Sequence, residues 1–331
     1  MEQFMPGVSL VGSGSACLTA QLTNDALSQR VDTSDDWIAT RTGIRQRHIA
    51  TPQDSLASLA TEAARNALAM AEVSATEVDL IVLATSTPDD LFGTACQVQQ
   101  ALGATRAVAF DLTAACSGFV FALVTAAQYI RTGVFKNVVV IGADVLSRWT
   151  DWDDRTTCVL FGDGAGAVVL RAAERDRLLG FELCSDGSLN HCLNLAYQPE
   201  SEVLVGDITV QKGTFAPITM NGREVYKFAV SRVPEVIEKA LFRANLTNAD
   251  IDWLVLHQAN QRILDAVADR LGVPAERVVS NMARHGNTSA ASIPIAIDEA
   301  VRAGKIKAGD VMATAGFGAG LTWGSAIVQW A

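Results

Sequence analysis

The chain has 331 residues, enough for one large domain or two of ordinary size. Hydrophobic residues make up 49% and charged residues 19%, which excludes a disordered chain, because such chains are too poor in apolar side chains to build a core. Twenty-six Lys and Arg against 36 Asp and Glu leave a net charge of -10, so phosphate backbones and anionic lipid surfaces are repelled, and neither nucleic acid nor membrane is an expected partner. No basic residue precedes Arg30, so a charged signal-peptide start is not expected. A helical pattern covers Ser55–Ala71, and the apolar run Val78–Ala84 reads as a buried strand. Ala107–Leu112 reads as a second strand, Ser117–Thr132 as a helix ending at Gly133, and Asn137–Ala143 as a third strand. Leu112–Ile130 is uncharged and long enough to raise a membrane helix. Its Thr113, Ser117, Gly118, Thr125 and Gln128 fit a helix buried at the centre of a globular fold better. Val311–Ala331 is also uncharged, but Gly316, Gly318, Gly320 and Gly324 divide it into strand, glycine loop and strand. This alternation predicts an α/β layered fold.

The second half repeats the first. Residues 67–84 lie over 240–257 at an offset of 173, so that Ala67, Leu68, Ala71, Asp79, Val82 and Leu83 meet Ala240, Leu241, Ala244, Asp252, Val255 and Leu256. Residues 131–136 lie over 302–307 at an offset of 171. The expected organisation is two halves, 1–175 and 176–331, about a pseudo-twofold axis with the site at their junction. Residues 176–220 fit neither half and are expected to form an insertion.

Cysteines 17, 96, 116, 158, 184 and 192 contain no C-x-x-C pair, which argues against a disulfide framework and for a reducing, cytoplasmic compartment. Cys116, in DLTAACSGF, falls at a strand-to-helix turn, where free backbone N–H groups favour a thiolate. The competing reading is a buried structural thiol. His257 directly follows the strand-like DWLVL, at the strand end where α/β folds place chemistry. Asn287 lies in RHGNTSAAS, and at an offset of 171 it meets Cys116. The repeat therefore places both at equivalent turns facing each other. GFGAGLTWG (316–324) offers either backbone N–H groups for an oxyanion hole or a tight hairpin.

Other motifs carry less. GDGAG (162–166) lacks the Lys-Ser/Thr of a phosphate loop and reads as a hairpin turn, and GSGSAC (12–17) lacks the third glycine of a dinucleotide fingerprint. Cys184, His191 and Cys192 want a fourth partner for a metal, so no metal site is expected. His48, after Arg41, Arg45 and Arg47, reads as a surface residue, and His285 as part of its turn.

Together, AACSGF, HQAN and HGNTSAAS, in that order, resemble the thiolase superfamily, and more closely the β-ketoacyl-acyl-carrier-protein synthase III family of initiating condensing enzymes. TSDDWIATRTGIRQRHIA (33–50) and FGDGAGA (161–167) extend the likeness over nearly the whole chain. The resemblance implies a five-layer αβαβα fold, a homodimer and a Cys116, His257, Asn287 triad. It implies that a short acyl group, acetyl above all, passes from coenzyme A to Cys116. Malonyl-acyl-carrier protein then loses carbon dioxide and attacks the thioester. No cofactor is implied, since the coenzyme A thioester and malonyl-acyl-carrier protein are substrates. Hydrogen bonds from His257 and Asn287 would stabilise the enolate, for which Asn suits better than a like-charged Asp. The backbone N–H groups of Cys116 and Ala319 would hold the thioester oxygen, Ala319 standing where the family often has Gly. By the same likeness, Trp37 and Arg155 would hold the adenine of coenzyme A and Arg41 its phosphates. Gly222 and Asn260 would line the pantetheine tunnel, beside Tyr226 where relatives often carry Phe. Arg262 would dock the acidic carrier protein, and Leu91 and Phe92, reaching into the neighbouring subunit, would limit primer length. Alternatives are a polyketide-type starter synthase with another primer and a non-catalytic acyl-carrier-binding subunit. A degradative thiolase would need a second, C-terminal catalytic Cys, and the last here is Cys192.

Overall fold

The long helix Leu56–Ala71 starts where Ser55 caps it: the Ser55 hydroxyl accepts from Ser58 N–H, and the Ser58 side chain returns the bond. Its Leu56, Leu59, Ala60, Ala63, Ala64, Ala67 and Leu68 recur at helical spacing and are buried. They cover a sheet whose strands run in the order Gly7–Ala16, Gly164–Ala173, Asn137–Asp144, Leu80–Ala84, Val108–Leu112. The computed structural model describes residues 5–16 and 18–331; Cys17, and with it the end of GSGSAC, lies outside the described residues. Strand Leu80–Ala84 is buried on both faces, as a central parallel strand must be. Leu80, Val82 and Ala84 enter one core, while Ile81 and Leu83 enter another.

The second half builds the same sheet. Leu178–Ser185, Thr322–Gln329, Val311–Gly318 and Trp253–Leu256 follow one another in the same order and orientations. At the fifth position a single parallel bridge, Leu254 to Val278, replaces a strand. Helices Gly118–Arg131 and Ser292–Arg302 fill the space between the sheets. Leu56–Ala71 covers the outer face of the first sheet, and Gly222–Arg243 with Gln261–Leu271 that of the second. The result is helix, sheet, helix, sheet, helix. Among the described residues no helix is long and apolar enough to cross a membrane, and Leu112–Ile130 supplies the buried central helix instead.

Four expectations change. Strand Leu178–Ser185 pairs with Thr322–Gln329 and belongs to the second sheet, so the segment outside the repeat is 186–220, shorter than 176–220. It carries an exposed hairpin, Tyr197–Val205 with Ile208–Phe215. GDGAG is not a hairpin turn: a strand starts at Gly164, and Gly162 is packed against the second half, where an added Cβ would meet the His285 carbonyl at 2.4 Å. His48 is buried, not a surface residue; its Nδ1 lies 2.7 Å from the Leu18 carbonyl, and its ring stacks on His285. Finally, Cys116 and Asn287 are not equivalent positions. The turn Ala115–Ser117 matches Ser289–Ala291, and helix start Gly118 matches Ser292, an offset of 174. The offset of 171 holds only past the helix ends, because the second helix has 11 residues against 14. Cys116 therefore corresponds to Ala290.

Candidate active site

A cavity of about 1240 Å³ opens between the halves, with Cys116, His257, Asn287 and Ala319 in its wall. Cys116 sits in the single turn joining strand Val108–Leu112 to helix Gly118–Arg131 and is 8% exposed. Ser289 Oγ donates to its Sγ at 3.3 Å. Burial pushes the thiol up to about 12, with the Asp144 charge adding to the rise and the Ser289 hydrogen bond opposing it. The thiolate favoured by the helix end is thus outweighed by burial, because desolvation acts on the whole charge and the helix begins only at Gly118. Gly318 ends the neighbouring strand, and a Cβ there would stand 2.6 Å from Cys116 N. That close approach carries Ala319, the first residue of the tight hairpin, to the cavity wall beside the thiol. Hairpin and site are one feature.

His257 follows strand Trp253–Leu256, its N–H bonded to the Ala315 carbonyl at 2.8 Å. Nδ1 lies 2.7 Å from Ser292 Oγ, and the edge of the ring meets Phe317. Burial lowers its pKa to about 3, against a hydrogen bond to the Ser289 carbonyl. The imidazole is neutral at physiological pH, so it offers an N–H rather than a charge. Asn287 Oδ1 accepts from Ser289 N–H at 2.9 Å, which turns its NH₂ into the donor end. The Asn287 backbone is clamped by residues 160–162: its N–H donates to Leu160 O and its carbonyl accepts from Gly162 N–H, both at 2.9 Å.

Toward the mouth, Arg41, Gly222, Tyr226, Asn260 and Arg262 border the same cavity. Trp37 lies on helix Asp35–Thr42, with the guanidinium carbons of Arg41 and Arg155 at 4.5 and 5.2 Å from the ring centroid. Leu91 borders its own chain's cavity, whereas Phe92, 99% exposed, projects away. Among the described residues no group of three or more His, Cys, Asp or Glu could hold a metal, so Cys184, His191 and Cys192 form no such site.

Sequence reasoning missed Ser289, Ser292, Asp144 and Glu299. The two serines stood in HGNTSAAS, but hydroxyls in a small-residue run are too common to signal a role. The usable signal for Asp144 was a carboxylate at the end of the apolar run NVVVIGAD. Glu299 holds the approach to Asn287: Oε2 accepts from Asn281 Nδ2 (3.0 Å) and Arg284 Nη2 (2.8 Å), and Oε1 meets His285 Nε2 at 2.8 Å. Burial alone would raise its pKa, but His285, Asn281 and Arg284 together bring it down to about 2. A folded pKa below the unfolded value gives stability that is present above about pH 4.5 and lost as pH falls toward 2. Glu299→Gln should therefore cost about 1–3 kcal/mol at pH 7, allowing for partial exposure, and much less at pH 3. Urea titrations of both proteins at the two pH values check this.

Two like sheets around a pair of central helices, with the site where the halves meet, make this a thiolase-like fold. The family described as 3-oxoacyl-[acyl-carrier-protein] synthase III matches residues 110–187, and its C-terminal region matches 241–330. The chain is 66% identical to the β-ketoacyl-[acyl-carrier-protein] synthase III of Acaryochloris marina, over 100% of this chain and 99% of that protein. The crystal structure of 3-oxoacyl-[acyl-carrier-protein] synthase III from Aquifex aeolicus superposes with a TM-score of 0.90 at 44% identity, covering 98% of this chain and 100% of the other. The priming β-ketosynthase of the R1128 polyketide pathway superposes with a TM-score of 0.91 at 32% identity, covering 100% and 98%. The chain belongs to the β-ketoacyl-acyl-carrier-protein synthase III family.

Proposed function

We propose that this chain condenses a short acyl-coenzyme A, acetyl in the first instance, with malonyl-acyl-carrier protein, releasing carbon dioxide and starting type II fatty-acid synthesis. The observation that carries this reading is the meeting of one thiol from the first half with two neutral N–H donors from the second in a single cavity. Cys116 takes the acyl group as a thioester, which keeps the acyl carbon electrophilic. Backbone N–H groups of Cys116 and Ala319 hold the thioester oxygen. His257 and Asn287 hold the enolate oxygen left by decarboxylation, and neither repels its charge.

Coenzyme A lies along the mouth: adenine between Trp37 and Arg155, phosphates at Arg41, pantetheine past Gly222 and Asn260. A flat base in contact on both faces needs about 7 Å between its neighbours. Arg155 therefore swings out by about 2 Å, leaving its 2.8 Å bond to the Asp32 carbonyl. Arg262 is exposed at the mouth, donating to the Thr40 carbonyl at 3.1 Å; it supplies local positive charge for an acidic carrier on a protein of net charge -10. Arg262→Glu should raise the KM for malonyl-acyl-carrier protein ~10-fold and leave acyl transfer from coenzyme A nearly intact. An equal loss in both half-reactions would assign Arg262 elsewhere.

The active form is a cytoplasmic homodimer. Strand Val108–Leu112 is an open sheet edge with Val108 exposed, and the loop bearing Leu91 and Phe92 is tied to it through Thr94 and Ala95 N–H bonds to Asp111. An apolar edge of this kind calls for a partner. Mass spectrometry after incubation with acetyl-coenzyme A tests the core of the reading: an acetyl adduct on Cys116 supports it, and no adduct leaves a binding subunit. A panel of straight, branched and aromatic primers then separates the fatty-acid starter from a polyketide-type starter synthase, the reading that the R1128 likeness favours.

A further inference from the structure

The hairpin that carries Ala319 is tied down on two sides. On the outer side Leu321 N–H donates to the Asp186 carbonyl at 3.0 Å, and Asp186 N–H returns a bond to the Leu321 carbonyl at 2.8 Å. On the inner side stands Thr322. Its cross-strand partner is Gly318, whose missing side chain leaves the Thr322 hydroxyl free to reach the turn that bears Cys116. Thr322 Oγ1 lies 2.7 Å from Ser117 Oγ, 3.2 Å from the Ala114 carbonyl and 3.3 Å from the Ala319 carbonyl. Ser117, fully buried, donates to the same Ala114 carbonyl from its hydroxyl at 2.7 Å and from its N–H at 3.2 Å.

A carbonyl oxygen has two lone pairs, and the two Ser117 donors fill them. The Thr322 proton therefore goes to Ser117 Oγ, which makes one chain of bonds from Thr322 through Ser117 to Ala114. The chain crosses from the second half to the first. It ends on the peptide before Ala115, whose φ of 46° is seldom adopted by a non-glycine residue.

We propose that Thr322 is a positioning residue for acyl transfer: through Ser117 it sets the Ala319 N–H and the Cys116 N–H against one thioester oxygen. The inference rests on the proposed roles of Cys116 as acyl acceptor and of these two N–H groups as its oxyanion hole. Neither N–H has a backbone acceptor among the described residues. As sulfur attacks, an S–C bond forms and the carbonyl π pair moves to oxygen; the pair returns as the coenzyme A sulfur leaves. Full negative charge sits on that oxygen only between these two events. A donor displaced by a fraction of an ångström therefore weakens the transition state and hardly touches substrate binding. Cys116 N–H is fixed by its own turn, whereas Ala319 N–H comes on a hairpin from the other half. The close approach of Gly318 to Cys116 N stops the hairpin from coming nearer. Contact of that kind only repels, and the Thr322 bond keeps the hairpin from moving away.

Thr322→Val keeps the shape and removes the hydroxyl; Thr322→Ser keeps the hydroxyl. Acyl-Cys116 formation from acetyl-coenzyme A is to be timed by quench and mass spectrometry. At saturating substrate it should be ~10–100-fold slower in Thr322→Val, with KM little changed, and return to within ~3-fold of wild type in Thr322→Ser. Alkylation of Cys116 by iodoacetamide is the control, because displacement at a saturated carbon makes no oxyanion. Its rate should be the same in all three proteins. Isotope-labelled acetyl-Cys116 gives a second reading: the carbonyl stretch should lie at higher wavenumber in Thr322→Val, where the C=O bond is less polarised. A wild-type acylation rate in Thr322→Val, an equal loss of acylation and alkylation, or no recovery in Thr322→Ser overturns the proposal. If Thr322→Val does not fold, Thr322→Ala against Thr322→Ser decides by the same measurements. A wild-type protein that forms no acyl-Cys116 overturns the proposed function, and this inference with it, before any variant is compared.

Discussion

Cys116→Ala should form no acyl-enzyme and condense nothing, yet still release carbon dioxide slowly from malonyl-acyl-carrier protein. The substitution removes the acyl acceptor alone. His257 stays fixed by Ala315 and Ser292, and Asn287 by Leu160, Gly162 and Ser289, so the donors for an enolate oxygen remain in place. The methyl group of Ala fits the same turn, so the melting temperature should hardly move. Two assays decide: intact mass for the adduct and trapped carbon dioxide for decarboxylation. Loss of decarboxylation together with condensation would mean that the sulfur itself helps to hold the malonyl group.

The converse variant, His257→Ala, should acylate on Cys116 and lose decarboxylation by ~10²–10³, the usual effect of removing one such donor. Its imidazole is pushed down to about 3 by burial, so it is a poor resting-state acceptor for the thiol proton. Asn287→Ala should behave alike, because both donors serve one oxygen. Combining the two need not multiply the losses, since groups acting as a unit are non-additive. If His257→Ala cannot be acylated at all, His257 is the obligatory base for Cys116, and the division of roles falls.

Much of this architecture could be read before any coordinates. Leu80–Ala84 and Asn137–Asp144 lie within two residues of their apolar runs, because strands buried on both faces need side chains of one kind on each; the edge strand Val108–Leu112 is only half-buried, yet it too starts one residue from its run. The repeat was legible because both halves bury the same surfaces. Its register was not, since an ungapped offset cannot register that one central helix is shorter. Burial of charge was also hidden. The basic run Arg41, Arg45, Arg47 made His48 read as a surface residue, yet Arg47 itself is fully buried, donating to the Leu22 and Val159 carbonyls and to Asn24 Oδ1. The state of Cys116 was misjudged for the same reason: a local segment reports the nearby helix end, whereas desolvation comes from the other half of the chain. Asp144 and Ser289 come from distant segments, and no spacing rule links them.

The single bridge from Leu254 to Val278, where the first sheet has a full strand, bears on stoichiometry. When a strand edge pairs with its own copy across a two-fold axis, both molecules use up that edge and growth stops at two. A duplicated chain that kept an equally good edge on each half could instead join one half to the other half of the next molecule, without closure, and build a fibre. A single bridge at the second edge keeps the symmetry of the halves in the core and breaks it at the rim.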